Sequence, residues 1–237
     1  MLVKYLLILG IAAIGSSFTL PGGLANGLYQ AHYNSAGEEV HELVTAGTLN
    51  TTSLPTPPDP EPSLSKRQAI AKRWDSTRTW CGCAFPMNAG DTNVANAGLA
   101  SWAASSPSIG NNVAEYYIQN TAIAFVIYQN PEGYSSTNVP YDLVSNNSPD
   151  VSYACGNFIA GTSQLNWFYL IDDGLYYGYM NYFSGLNLFD SYAASTQSTC
   201  PDSAAGQCQQ CYDSCDSFNG SGESCSTVCN NCFDWSG

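Results

Sequence analysis

The sequence predicts an α+β protein: an antiparallel sheet with one or two packed helices, followed by a C-terminal disulfide-stapled antiparallel helical hairpin. Three observations lead to this fold class. Residues 113–183 contain short strand-like runs separated by turn residues, and residues 91–104 show helical periodicity. All ten cysteines follow residue 80, and six of them crowd into residues 208–232. Four segments result: 1–19, 20–73, 74–200 and 201–237.

Residues 1–19 are predicted to be a signal peptide. Lys4 supplies the positive start, residues 5–14 form an apolar stretch, and the small residues Gly15, Ser16 and Ser17 follow. The apolar stretch is much shorter than the roughly 20 residues that span a bilayer. We therefore expect a secreted, extracellular protein without membrane insertion.

Residues 20–73 are predicted to be a pro-region with a Pro-rich linker at residues 51–65. Two dibasic pairs follow, Lys66-Arg67 and Lys72-Arg73, and they resemble sites of a fungal Kex-type processing protease. The alternative is that they are merely solvated basic residues. Only one basic residue, Arg78, lies beyond them, so cleavage before Trp74 is the preferred interpretation.

The pro-region also contains a possible hairpin. Residues 28–44 could form two strands around a turn at Asn34 to Gly37. Such a hairpin would assist folding or mask the mature surface until cleavage.

Charge and composition exclude several classes of function. The net charge is −13, which disfavours nucleic acid and anionic membranes as partners. Both histidines, His32 and His41, lie in the pro-region, so the mature chain would contain neither His nor Lys. Catalysis by Ser-His-Asp, Cys-His or lysine and His-ligated metal sites are thereby excluded, and we expect no cofactor and no metal.

Within residues 74–200, Asp91 is predicted to cap a helix that runs to Ala104. Strands are predicted at 113–119, at 121–129, where the run is apolar enough for a buried central strand, and at 157–162. Residues 141–155 are ambiguous, with a short helix interrupted at Pro149 as one interpretation.

The strongest hairpin signal is Asp173-Gly174, which predicts a two-residue turn between strands 165–172 and 175–183. Both faces of this hairpin would be apolar or aromatic. One face would pack under the helix. The other is either covered by a second helix or the cysteine tail, or it forms a binding platform for glycan or protein that includes Trp167, Tyr169, Tyr177 and Tyr179.

Four cysteines belong to the main domain. Cys81 and Cys83 are too close to pair comfortably with each other, so each is expected to pair with one of Cys155 and Cys200. The sequence leaves open which pairs with which.

The last six cysteines form a mirror pattern, C-x2-C-x3-C and then C-x3-C-x2-C. On two antiparallel helices this spacing predicts nested bridges Cys208–Cys232, Cys211–Cys229 and Cys215–Cys225. A four-cysteine zinc site is the alternative, but it leaves Cys215 and Cys225 unexplained. Glycosylation sequons occur at Asn50, Asn146 and Asn219.

Several motifs resemble a group of small secreted cysteine-rich fungal proteins that are candidate effectors. The motifs are Trp80-Cys81-Gly82-Cys83, Asp91-Thr92, Ala124-Phe125-Val126, the run from Cys155 to Thr162, and Tyr177-Gly178-Tyr179-Met180. The resemblance implies a killer-toxin-like α/β sandwich and a role in virulence. This chain departs from the pattern at Ile127, where a cysteine is expected, and in its six-cysteine tail.

The preferred function is a non-enzymatic secreted effector or toxin-like protein that acts, as a monomer, by binding an extracellular protein or a cell-wall glycan. A carbohydrate-binding protein for wall glycans is the second hypothesis. A carboxylate-dependent glycosidase is the third, but the spacing of its candidate acids singles out no pair: Asp91, Glu115, Glu132, Asp142, Asp172 and Asp173.

Overall fold

A computed structural model describes residues 18–47, 74–129, 135–167, 174–188, 195–203 and 205–206. The strands are β1 (Gly27–Tyr33), β2 (Glu39–Ala46), β3 (Trp74–Pro86), β4 (Ser108–Gly110), β5 (Val113–Gln119), β6 (Ala122–Tyr128), β7 (Ser136–Asn138), β8 (Ile159–Trp167) and β9 (Leu175–Asn181). The helices are α1 (Ala89–Ala103) and α2 (Tyr141–Cys155).

Seven strands form one antiparallel sheet in the order β2-β1-β5-β6-β9-β8-β3, and β4 pairs separately with β7. Helix α1 packs over β5 and β6, and α2 packs over β3, β8 and β9. The prediction of an α+β fold with helices on an antiparallel sheet is therefore confirmed. The predicted C-terminal helical hairpin, with its three bridges, lies outside the described residues.

Strand β6 lies at the centre of the sheet, and all seven of its residues are buried. Its alternate side chains enter two separate cores. The helix-side core contains Leu99, Tyr117, Ala124, Val126, Leu143, Tyr177 and Tyr179. The opposite core contains Phe18, Leu20, Tyr29, Tyr116, Ile123, Phe125, Ile127, Leu186 and Leu188. The apolar run that predicted a central strand is thus explained by cover on both faces.

The N-terminal hairpin predicted around Asn34 is confirmed. The Asn34 side-chain Oδ1 accepts hydrogen bonds from the backbone N of Ala36 and Glu38, at 2.9 and 3.0 Å, and Gly37 adopts a positive φ of 77°. Such bonds make asparagine an effective turn residue. The hairpin does not stand apart from the domain, because β1 pairs with β5 from Gly27 to Ala31. It therefore supplies two of the seven strands.

The core on the second face is closed by two short segments from distant parts of the chain. Leu20 N donates to Leu186 O at 2.8 Å, and Leu188 N donates to Phe18 O at 2.9 Å. Phe18 is fully buried there. Phe18 lies inside the segment predicted as a signal peptide, residues 1–19, so removal of that whole segment would take away a buried residue of this core.

Helix α1 begins three residues before the predicted start. Asn88 is the N-cap, and its Oδ1 accepts from the backbone N of Asp91 at 3.0 Å. The carboxylate of Asp91 instead accepts from Thr121 Oγ1 at 2.6 Å and from Asn120 Nδ2 at 2.8 Å. Asp91 therefore fastens the start of α1 to the turn between β5 and β6, and its assignment as the cap was wrong.

The hairpin of β8 and β9 is confirmed as a strand pair, but its register differs from the prediction. A two-residue turn at Asp173-Gly174 would pair Asp172 with Leu175, whereas Leu175 pairs with Leu165. An odd shift in register moves side chains to the other face of a sheet. In the predicted register Leu165 and Tyr177 would lie on opposite faces of the sheet, whereas in the structure both belong to the helix-side core.

Two disulfides join β3 to the rest of the domain. Cys81 pairs with Cys155 at the end of α2, and Cys83 pairs with Cys200. This confirms that each of the first two cysteines reaches one of the other two, and it settles which. Residues 141–155 form a helix that continues through Pro149.

The close contact between α1 and β5 generates a prediction about stability. A Cβ added at Gly98 would overlap the ring of Tyr117, which is itself buried. We expect Gly98→Ala to lower the free energy of unfolding by about 1–3 kcal/mol, because overpacking forces the helix away from the sheet. Urea unfolding measures the change.

Gly90→Ala is the matched control. Gly90 lies in the same helix, and an added Cβ would meet its nearest neighbour, Asn88 Oδ1, at an ordinary 3.4 Å. Alanine there should leave stability unchanged or raise it by up to about 1 kcal/mol, through helix propensity. Equal effects of the two substitutions would contradict the packing described.

Candidate functional site

A groove of about 400 Å³ opens between α1 and the N-terminal hairpin. One wall comes from the hairpin and consists of Leu28, Val44, Thr45 and Ala46. The other comes from α1, the short segment after it and β5, and consists of Gly98, Ser101, Trp102, Ser105 and Tyr117. The groove thus combines two parts of the chain that are far apart in the sequence.

The second wall runs along one side of α1, because most of its residues recur at helical spacing. Residues 98, 101, 102 and 105 are spaced by three and four positions, so they form one stripe along α1 and its C-terminal end. Gly98 has no side chain, which lets the ring of Tyr117 come close to the helix. Trp102 is half-buried, so part of its indole remains open to a ligand.

Tyr117 gives the groove its unusual polar feature. Its hydroxyl is buried and has no hydrogen-bond partner among the described residues. Burial raises the pKa of this phenol above its ordinary value. An unpaired buried hydroxyl costs about 1–3 kcal/mol, which a ligand or a water molecule that paired with it would relieve.

The lining of the groove offers groups suited to binding. The described residues that line it include no carboxylate, histidine or cysteine. Its aromatic side chains offer stacking area, and its serines and Tyr117 offer hydroxyl groups.

A second polar cluster looks catalytic but serves the fold. Tyr116 Oη lies 2.7 Å from His41 Nδ1, and His41 Nε2 lies 2.5 Å from Glu39 Oε1. A hydroxyl, an imidazole and a carboxylate in series resemble the order of groups in a catalytic triad. Tyr116, however, is fully buried, and burial raises its pKa far above the ordinary value. No substrate reaches it, and the network instead ties β2 to β5 across β1.

Glu115 is a buried carboxyl on the interface between β5 and β1. Burial raises its pKa to about 7, although Gln30 Nε2 donates to its Oε1 at 2.5 Å and favours the charged form. Its Oε2 has no hydrogen-bond partner among the described residues. The group is 3% exposed, so it lacks access to a polysaccharide chain.

The glycosidase candidates are not assembled into a site. The hydrogen bonds of Asp91 to Thr121 and Asn120 outweigh its desolvation and lower its pKa. Glu115 is engaged with Gln30 on another strand, and Asp142 is exposed on α2. Glu132, Asp172 and Asp173 lie outside the described residues.

The prediction that Tyr177 and Tyr179 belong to a binding platform is wrong, because both side chains are buried. Tyr177 is fully buried and donates to Asn96 Oδ1 at 2.7 Å, and Tyr179 is 1% exposed and hydrogen-bonds Ser152 at 2.8 Å. Helices α1 and α2 cover this face, which is the alternative that the sequence left open. These two tyrosines pack the core and meet no ligand.

The structure describes only some of the other predicted site residues. Trp167 ends β8, where its backbone pairs with Trp74, and Tyr169 lies outside the described residues. Asn146 lies within α2. The two dibasic pairs, Asn50, Asn219 and the six tail cysteines also lie outside the described residues.

No family model, no curated protein and no solved structure matches the chain. Neither α1 nor α2, the two helices described, is long and apolar enough to cross a membrane. Function is therefore inferred from the geometry of the groove.

Glu115 generates a prediction about pH. The unfolded carboxyl ionises near pH 4.5, whereas the folded one holds its proton until about pH 7. The contribution of Glu115 to stability is therefore greatest below pH 4.5 and falls as the pH rises towards 7, by about 3 kcal/mol. Urea unfolding of the uncleaved protein across this range should show the loss.

Glu115→Gln should remove that part of the pH dependence, because its amide does not titrate and can still accept from Gln30. Asp142→Asn, at an exposed position on α2, is the control and should leave the dependence in place. A Glu115→Gln protein with the wild-type profile would rule out this origin.

Proposed function

We propose that this chain is a secreted, non-enzymatic effector or toxin-like protein that acts by binding, and that the groove between α1 and the N-terminal hairpin is its binding site. The observation that carries the proposal is the groove wall formed by Trp102 and Tyr117, which combines aromatic area with an unpaired hydroxyl. The absence of acid and base groups from the described lining supports binding without catalysis.

Disulfide chemistry supports the secreted setting. The four cysteines of the described residues are all paired, in Cys81–Cys155 and Cys83–Cys200. Disulfides persist in oxidising compartments and are rare in the cytosol. The proposed export signal would end before Phe18, so that the buried phenylalanine stays in the mature fold.

A second candidate function is binding of cell-wall carbohydrate. The half-exposed indole of Trp102 beside the hydroxyl of Ser101 favours it, because sugar rings stack on aromatic faces and pair with hydroxyl groups. The two candidate functions would use the same groove and differ in whether it binds a protein or a glycan. A screen must therefore contain both wall glycans and extracellular host proteins.

The test is binding by the purified secreted protein to a glycan array and to extracts of host extracellular protein, alongside assays of host immune signalling and microbial growth. We expect a partner whose affinity Trp102→Ala lowers at least tenfold, because truncation of an aromatic hot-spot residue costs about 2 kcal/mol or more, and about 1.4 kcal/mol is already tenfold. Titration by fluorescence or calorimetry gives the dissociation constants.

Phe85→Ala is the matched control, since Phe85 is an exposed aromatic on β3 at the other edge of the sheet. It should leave the affinity unchanged. Equal losses of affinity in the Trp102→Ala and Phe85→Ala variants would show that the binding site is not the groove. A protein that binds nothing and changes neither signalling nor growth would refute the function.

A further inference from the structure

We infer that the N-terminal segment, residues 18–47, is a permanent subunit of the fold, and that proteolysis in the linker after it yields a two-chain protein held together without a covalent bond. The inference rests on the proposed processing for its biological occurrence, but the retention of the segment can be tested with any cut in the linker. It replaces the idea of a pro-region that leaves after cleavage.

Strand pairing is the first support. Strand β1 pairs with β5 over five consecutive residues, from Gly27 opposite Ile118 to Ala31 opposite Ala114. Strand β5 would become an exposed edge if the hairpin left, and unpaired edges of a sheet invite aggregation. The hairpin is thus the natural partner of that edge.

Burial is the second support. Five apolar residues of the segment are at most 5% exposed: Phe18, Leu20, Leu28, Tyr29 and Ala31. They enter both cores, since Leu28 belongs to the helix side and the other four to the opposite side. Loss of the segment would open both faces of the sheet to water at once.

Side-chain contacts are the third support. Tyr29 stacks on Tyr116 with ring centroids 5.4 Å apart. Asn26 Oδ1 accepts from the backbone N of Asn120 at 2.8 Å. The Gln30–Glu115 and His41–Tyr116 contacts join the same two parts of the chain.

The order of the strands in the sheet indicates that an intact linker is not needed to hold the fold together. The strands on either side of it, β2 and β3, form the two opposite edges of the sheet, so the linker joins elements that do not touch each other. They lie six strand spacings apart, roughly 29 Å. A cut between them therefore leaves every strand pair of the sheet in place, including β1 with β5, whose two strands then belong to different chains.

The chemical step is hydrolysis by an endoprotease of dibasic specificity. One water is consumed, the peptide bond between Arg73 and Trp74 breaks, and a carboxylate and an amine are formed. A cut after Arg67 gives an equivalent product. The N-terminal chain contains no cysteine, because all ten follow residue 80. The two chains are therefore associated by non-covalent contacts alone.

Whether the N-terminal segment stays bound also decides whether the groove still exists after cleavage. The groove takes one wall from the hairpin, including Leu28 and Thr45, and the other from the larger chain, including Trp102 and Tyr117. Departure of the hairpin would leave half a groove. The two-chain product is thus the form that can bind.

The experiment uses the full secreted protein, cut with trypsin after folding. Basic residues after the signal occur at Lys66, Arg67, Lys72, Arg73 and Arg78, so Arg78→Gln confines cleavage to the linker. Native mass spectrometry and size exclusion at about 1 µM should show one particle containing both chains. Guanidinium without a reductant should separate them. Elution of the small chain alone in native buffer would overturn the inference.

Two variants test the interface. Tyr29→Ala removes the stack on Tyr116, and in the cut protein it should raise the dissociation constant of the two chains at least tenfold. Leu43→Ala, on the same hairpin at a position that is 50% exposed, should not change it. Near-ultraviolet circular dichroism of the uncut variants verifies folding, and Asn26→Ala replaces Tyr29→Ala if the latter does not fold. Equal dissociation of Tyr29→Ala and Leu43→Ala would contradict the interface.

Intact mass of the protein from culture medium separates this inference from the proposed processing. A secreted protein found uncut would refute the processing, while the trypsin arm would still decide retention. Two chains in one particle, beginning near Phe18 and at Trp74, would support both. A particle that begins at Trp74 and lacks the small chain would refute retention alone.

Discussion

The fold depends on one constraint: a central antiparallel strand, β6, whose side chains are apolar on both faces and must be covered on both. Helices α1 and α2 cover one face. Residues 18–20 and 186–188 cover the other, fastened by the Leu20–Leu186 and Leu188–Phe18 hydrogen bonds. Each large apolar side chain buried there contributes roughly 1.5–3 kcal/mol. The need for this second cover explains why the N-terminal segment belongs to the domain.

Elements with a strong local pattern were predicted from the sequence, and features set by distant contacts were not. Strands β5 and β6 and helix α1 follow from periodicity within a dozen residues, whereas α2 was ambiguous because a proline usually interrupts a helix. The β8–β9 register was wrong because Asp173-Gly174 is a local signal, whereas the pairing of Leu165 with Leu175 satisfies the helix-side core. The cap at Asn88 was missed because Asp91 is an equally good capping residue by type, and tertiary contact with Thr121 decided its role.

The candidate site illustrates the same limit. Trp102 falls within the helix predicted to run from Asp91 to Ala104, but nothing local indicates that Leu28 and Thr45, far away in the chain, face it. The Pro-rich and dibasic stretch between these two parts of the chain favoured a pro-region that is discarded after cleavage. That prediction hid the pairing of the N-terminal segment with β5. Conversely, Tyr177 and Tyr179 looked suited to a binding surface because both faces of their strand are aromatic, and only the packing of both helices shows that they are buried.

The paired disulfides of β3 fix where the C-terminal tail begins. Cys200 is held to Cys83, and its backbone N donates to Ala154 O at 3.0 Å, so the tail starts beside α2 and β3. The groove is lined by α1, β1, β2 and β5, and β1 lies five strand spacings or roughly 24 Å from β3. Substitutions at sites this far apart usually have additive effects on stability. The hairpin wall of the groove and the Cys83–Cys200 bridge can therefore change in sequence independently of each other.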